Sequence, residues 1–172
     1  MTAPPLRFHE EATVQVAASP EAVFRLLDDH QRLAAHMEKP SLMMAGATMH
    51  IDTDARKGQA LGSVITLTGR VLGLHLSVTE QVNEYAPPLR KAWETTGTPQ
   101  LLVIGPYRMG FVLTPHETGS QLRVWIDYDA PAGGWSRWLS RLLGRSYARW
   151  CVQRMAADAA QAFCGDCTHG NA

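Results

Sequence analysis

Glu80 is an acid in a place where an acid is costly. In the run Leu74, Leu76, Val78, Glu80 and Val82 every alternate position is apolar except one, and strand alternation puts Glu80 on the face its neighbours bury. Burial penalises the charged carboxylate and raises its pKa, which makes Glu80 a candidate general acid/base or a hydrogen-bonding anchor for a ligand. The plainer alternatives are a bulge that turns it outward, or pairing with an arginine. Tyr107, Met109, Phe111 and Leu113 alternate on one later strand face, and Leu122, Val124, Ile126 and Tyr128 on the next. Both tyrosines would bring hydroxyls to that face, with Trp93 and Met155 as further lining candidates. His36 stands among Met37, Met43, Met44 and Met49, side chains that adapt to irregular ligands. Ordinary core packing is the competing reading for all of these.

Other chemistries are not spelled out. There is no Gly-x-Ser-x-Gly elbow, no cysteine beside a base, and no glycine-rich phosphate loop. Cys164-x-x-Cys167-x-His169 supplies three ligands where structural zinc takes four, so neither a metal nor a cofactor is expected. Three cysteines without an export signal read as reduced thiols, with Cys151 as helix packing.

The C-terminal segment carries a different signal. Arg137, Arg141, Arg145 and Arg149 recur at spacing four, with Arg154 after them. Trp135, Trp138 and Trp150 accompany them, and no acid falls between Trp135 and Met155. That composition suits a helix lying on an anionic membrane surface. Its alternative is a solvated face whose arginine stems cover apolar surface.

The elements that must position these residues follow from periodicity. A strand is expected over Phe8 to Val16, then a helix after the N-cap Ser19 and Pro20, ending near Asp28 to His30. A second short helix is expected from Gln31 to Met37, stopped by Pro40. Six strands follow: Ala47 to Asp54, Leu61 to Leu72, Leu74 to Tyr85, Leu89 to Gly97, Leu101 to Thr114 and Ser120 to Asp129. Turn residues separate them, among them Pro87-Pro88 and Thr98-Pro99, and Gly105-Pro106 predicts a bulge or bend inside the fifth. After Gly134 a helix runs to about Phe163, its core stripe read as Leu139, Leu142, Leu143, Tyr147, Cys151, Met155, Ala159 and Ala162. Gly144 is a candidate break within it.

A chain of 172 residues is of the size one core organises, giving a single domain over 1–172 with an ordered core of about 6–164. Charged residues at 19% and apolar residues at 45% exclude a disordered chain. Lys plus Arg and Asp plus Glu balance at 16 each, so the positive excess that nucleic-acid binding draws on is missing. With no signal segment and no apolar run long enough to span a bilayer, the expected location is cytoplasmic.

The order strand, two short helices, six strands and a long helix is the helix-grip arrangement: an α+β fold with a curved antiparallel sheet around a C-terminal helix. With Val14-x-Val16-x-Ala-Ser19-Pro20-Glu21-x-Val23-Phe24 at the first junction and Glu80-x-Val82-x-Glu84-Tyr85-x-Pro87-Pro88 closing a central strand, the chain resembles the SRPBCC superfamily over residues 7 to 163. That group includes the birch-pollen allergen, START lipid-transfer domains and bacterial polyketide cyclase/dehydrase-like proteins. The resemblance implies a cavity for a small apolar ligand between sheet and helix, and it carries over no catalytic residue. Three functions are therefore expected in competition. The first is a binding or carrier module for a lipid-like or aromatic molecule. The second is a cyclase, dehydratase or hydrolase using Glu80 with Tyr107, Tyr128 or His36, and the third a membrane-peripheral protein docking through the arginines. No segment specifies the ligand or an oligomeric state.

Overall fold

The computed structural model describes residues 5–29, 48–71 and 73–164. The expected helix Gln31 to Met37, the candidates His36 and Met43 with their neighbours Met37 and Met44, and Cys167 and His169 lie outside the described residues. The elements are β1 (Phe8–Val16), α1 (Pro20–Leu27), β2 (Thr48–Thr53), β3 (Val64–Val71), β4 (Leu74–Ala86), β5 (Arg90–Gln100), β6 (Tyr107–His116), β7 (Gly119–Tyr128) and α2 (Gly134–Phe163).

All seven strands form one antiparallel sheet in the order β1-β7-β6-β5-β4-β3-β2. Strands β2 to β7 pair in sequence as a meander, and β1 joins at the free edge of β7. Register shifts between β4 and β5, at Ser77/Thr79 and Val82/Glu84, add the local bends that curve such a sheet. The β6–β7 hairpin brings Gly119 against the end of β1 at φ 146°, where a Cβ would run into the Val16 carbonyl. Only glycine fits that approach.

α1 begins as its sequence specifies, with Ser19 Oγ accepting from the Ala22 N–H at 3.4 Å and Pro20 in the first turn. It buries Val23, Phe24 and Leu27, and the Phe24 ring meets Phe111 and Tyr85 edge-on at 5.5 and 5.9 Å. This aromatic contact seats α1 on the inner face of the sheet.

Several boundaries differ from the sequence reading. The residues from Leu61 to Ser63 precede β3 instead of opening it. Thr98-Pro99 continues β5 instead of ending it, and Leu101 to Pro106 stays outside the ladder. Gly105 therefore marks no bulge: its N–H donates to the Asp129 carbonyl at 2.7 Å just before β6 begins. Proline at 106 has no N–H for a ladder bond, so the strand starts after it.

The inner face of α2 is also corrected. The buried positions are Ser140, Gly144, Ala148, Val152, Met155, Ala156 and Ala159, while Leu142 and Leu143 are exposed and Leu139, Tyr147 and Cys151 are half-buried. Small residues face the sheet because the helix axis approaches it closely; Leu142 and Leu143 are turned away and Ala162 is exposed, while Met155 and Ala159 hold the inner positions read for them. Gly144 does not interrupt the helix. It lies against the Val103 carbonyl and the Tyr128 ring, with an added Cβ 3.4 and 3.7 Å from them and 3.0 Å from Ser140 Oγ. On the β1 side Glu10 accepts from Arg145 Nε at 2.7 Å and Arg149 Nε at 3.2 Å, clamping the helix to the edge strand.

Replacing Gly144 with leucine is expected to lower unfolding stability by about 1–3 kcal/mol through overpacking against Val103 and Tyr128. The exposed Ser146→Leu is expected to change it by less than about 0.5 kcal/mol in the same urea titration.

Candidate functional site

The alternation of β4 holds from Leu76 to Val82, and it points Glu80 into the concave face beside Val78 and Val82. Across the ladders Glu80 lies opposite Ile65 and Thr95. Its carboxyl group is buried, with 4% of the residue exposed. Among the described residues two donors reach it: the Tyr107 hydroxyl from β6, in a very short hydrogen bond to Oε1, and the Trp93 side chain from β5. Burial is the dominant influence and pushes the Glu80 pKa up to about 7, against the opposing pull of Tyr107, Trp93 and, at longer range, Lys91. At neutral pH this carboxyl group can both give and accept a proton. The Tyr107 hydroxyl is held well above its ordinary pKa by burial and by Glu80, so it remains a donor.

From α2, Tyr147 and Cys151 stand close enough to Tyr107 to affect it, and they hydrogen-bond to each other. Burial pushes the Cys151 thiol up to about 12, which keeps it protonated and unreactive. Tyr147, Cys151, Thr95 and Met109 are only half-buried although they lie on the facing inner surfaces of helix and sheet. The close backbone approaches of α2 are to β1 and β7.

A second polar cluster lies on the same face and has no counterpart in the sequence reading. Lys91, 1% exposed, donates from Nζ to Asp28 Oδ1 at 2.5 Å, and the Tyr85 hydroxyl donates to Asp28 Oδ2 at 2.9 Å. Burial lowers the Lys91 pKa, and Asp28 opposes that shift. The parity of Lys91 with Trp93 was the available signal. Tyr85 could not be placed so, because the bulge after Val82 moves it to the inner side.

The remaining candidates are distributed unevenly. Met109 pairs with Trp93 in register, next to the Glu80 group. Phe111 is fully enclosed between Phe24 and Trp93. Tyr128 is buried opposite Tyr107, but its ring stacks on Phe8 at 5.3 Å near Gly144. Met155 is buried on α2. Of the four arginines, Arg145 and Arg149 are engaged by Glu10, whereas Arg137 and Arg141 are exposed. Among the described residues no group of three or more His, Cys, Asp or Glu side chains is placed to hold a metal ion.

The model of the family described as polyketide cyclase/dehydrase and lipid transport matches residues 7–163. The chain belongs to that family. Solved structures that share its helix-grip fold include the ZhuI aromatase/cyclase from Streptomyces sp. R1128, at TM-score 0.61 and 17% identity over 95% of this chain and 99% of that one. Protein TTHA0849 from Thermus thermophilus is similar at TM-score 0.66 and 15% identity, covering 93% and 99%. Ara h 8.0201 is similar at TM-score 0.53 and 14% identity, covering 87% and 97%. No curated protein matches the chain in sequence. As in those folds, a curved sheet and one long helix face each other across the residues around Glu80.

The raised pKa makes stability depend on pH in a defined direction. Folded Glu80 keeps its proton up to about pH 7, whereas the unfolded chain releases it near the ordinary 4.5. Between these values the native state binds more protons, so its stability falls as pH rises. The contribution is about 3 kcal/mol across that interval. Glu80→Gln is expected to remove this slope in denaturant titrations at pH 4.5 and 7.5; an unchanged slope would show that Glu80 does not titrate there.

Proposed function

We propose that the protein binds a small apolar molecule between the concave sheet face and α2, with Glu80 as the polar anchor and Trp93, Tyr107 and Met109 at its sides. The observation that carries this reading is a buried carboxyl group of near-neutral pKa set among Val78, Val82 and Ile65, with its two donors in place. Such a group can donate to a ligand carbonyl when protonated, or accept from a ligand hydroxyl when ionised. The half-buried Met109, Tyr147 and Cys151 mark where the ligand would lie. Membership in a family of cyclases, dehydrases and lipid-transport proteins supports a lipid-like or aromatic ligand. We place this carrier role, in a single domain, in the cytoplasm.

A second reading is favoured by the same pKa. A carboxyl group that exchanges its proton near pH 7 beside a tyrosine suits a cyclase, dehydratase or hydrolase, with Glu80 shuttling the proton and Tyr107 holding the polarised oxygen.

Native mass spectrometry of the freshly purified protein, with titration by fatty acids and an aromatic dye, separates these readings from their alternatives. The wild type is expected to carry or take up one apolar molecule, and Met109→Trp to lose uptake by filling the space. Glu80→Gln is expected to weaken ligands with a polar group by about tenfold. A wild type that is empty and takes up neither probe would overturn the carrier reading. Bound ligand recovered cyclised or dehydrated from the wild type, and unaltered from Glu80→Gln, would establish the catalytic one.

A further inference from the structure

The N-terminal half of α2 presents an apolar surface to water. Trp135, Trp138 and Leu142 are 65%, 61% and 58% exposed. At about 100° per residue they fall on the side away from the buried Ser140 and Gly144. Two adjacent tryptophans in water with a leucine on the next turn mark an interaction surface, because such side chains are otherwise mostly buried.

The charges that this stretch of α2 contributes have one sign. Between Ala130 and Ala157 the sequence holds five arginines and no Asp or Glu. Arg145 and Arg149 are held by Glu10, and Arg154 pairs with Asp158. Arg137 and Arg141 are exposed, and among the described residues neither has a carboxylate partner. With Arg7 they line a cleft of about 860 Å³ at the start of α2, beside Gly133 and Ser136. Arg7 is itself 80% exposed, its guanidinium 3.9 Å from Asp129 at the cleft wall.

We propose that this end of α2 docks on an anionic lipid bilayer, with Trp135, Trp138 and Leu142 entering the interface and Arg137, Arg141 and Arg7 meeting lipid phosphates. Tryptophan rests at the headgroup level, and guanidinium forks match phosphate oxygens. Negative surface potential draws such arginines in. A second copy of this chain is the poorer fit, since a symmetric contact would set arginine against arginine with no acid from this segment between them. The inference is independent of what the interior carries.

Co-sedimentation with phosphatidylcholine vesicles, made with and without phosphatidylglycerol, tests it. The wild type is expected to sediment with the anionic vesicles alone, with a blue shift of tryptophan emission, and to be released as salt rises from about 0.05 to 0.5 M. Arg137→Glu with Arg141→Glu is expected to lower partitioning by at least about tenfold. Trp135→Ser with Trp138→Ser should also lower it and remove the blue shift. Arg70→Glu with Arg123→Glu makes the same charge change at exposed sheet positions and should sediment as the wild type does. A wild type that stays in solution, equal loss in both arginine pairs, or loss in neither would overturn the proposal. So would a dimer in sedimentation equilibrium that Trp138→Ser dissociates. Circular dichroism confirms that each variant is folded.

Discussion

One straight helix cannot lie against the whole of a bent sheet, and the structure is organised around that mismatch. α2 closes on β1 and β7, where Ser140, Gly144 and Ala148 are small enough for near contact and Glu10 grips Arg145 and Arg149 from the edge strand. The β4–β5 bulges add to the bend of the sheet on the far side from that edge.

Buried acids on the inner face are costly unless each has a partner, and the two here come partnered. Glu80 has Tyr107 and Trp93, and Asp28 has Lys91 and Tyr85. The two clusters serve different ends. The Lys91–Asp28 pair joins the centre of the sheet to the end of α1, and removing either partner would strand a buried charge. Glu80 bridges β4, β5 and β6, and among the described residues no cation pairs with it at contact distance, so burial dominates its charge and its pKa lies close to neutral pH. A carboxyl group left in that balance can respond to a ligand, whereas an ion-paired one could not.

Family membership together with 14–17% identity to solved relatives says which part of the design is general. The fold needs alternation, turns and a long helix, which many sequences supply. What occupies the grip depends on single side chains from several strands, and these are free to differ.

The sequence by itself determined the order of the described elements, the meander and the entry to α1, and its alternation pointed Glu80 inward while leaving open a bulge that would turn it out. Each rests on local chemistry: period-2 alternation, the Ser19-Pro20 cap, and residues too close along the chain for tertiary contacts to rearrange. It misplaced the first turns of the α2 stripe, though Met155 and Ala159 face inward as read, because leucines at helical spacing signal a core stripe only if nothing smaller is needed for close approach. Whether Ser140 and Gly144 or Leu142 and Leu143 face inward is decided by how near the helix lies to β1 and β7. The partners of Glu80, the pairing of Lys91 with Asp28, and the capture of two of the four arginines by Glu10 were decided there too. Apart from Glu80 with Trp93 on the neighbouring strand, those contacts join residues from 27 to 139 positions apart in the chain, so only the folded sheet, which sets strand register and bulge position, brings them together.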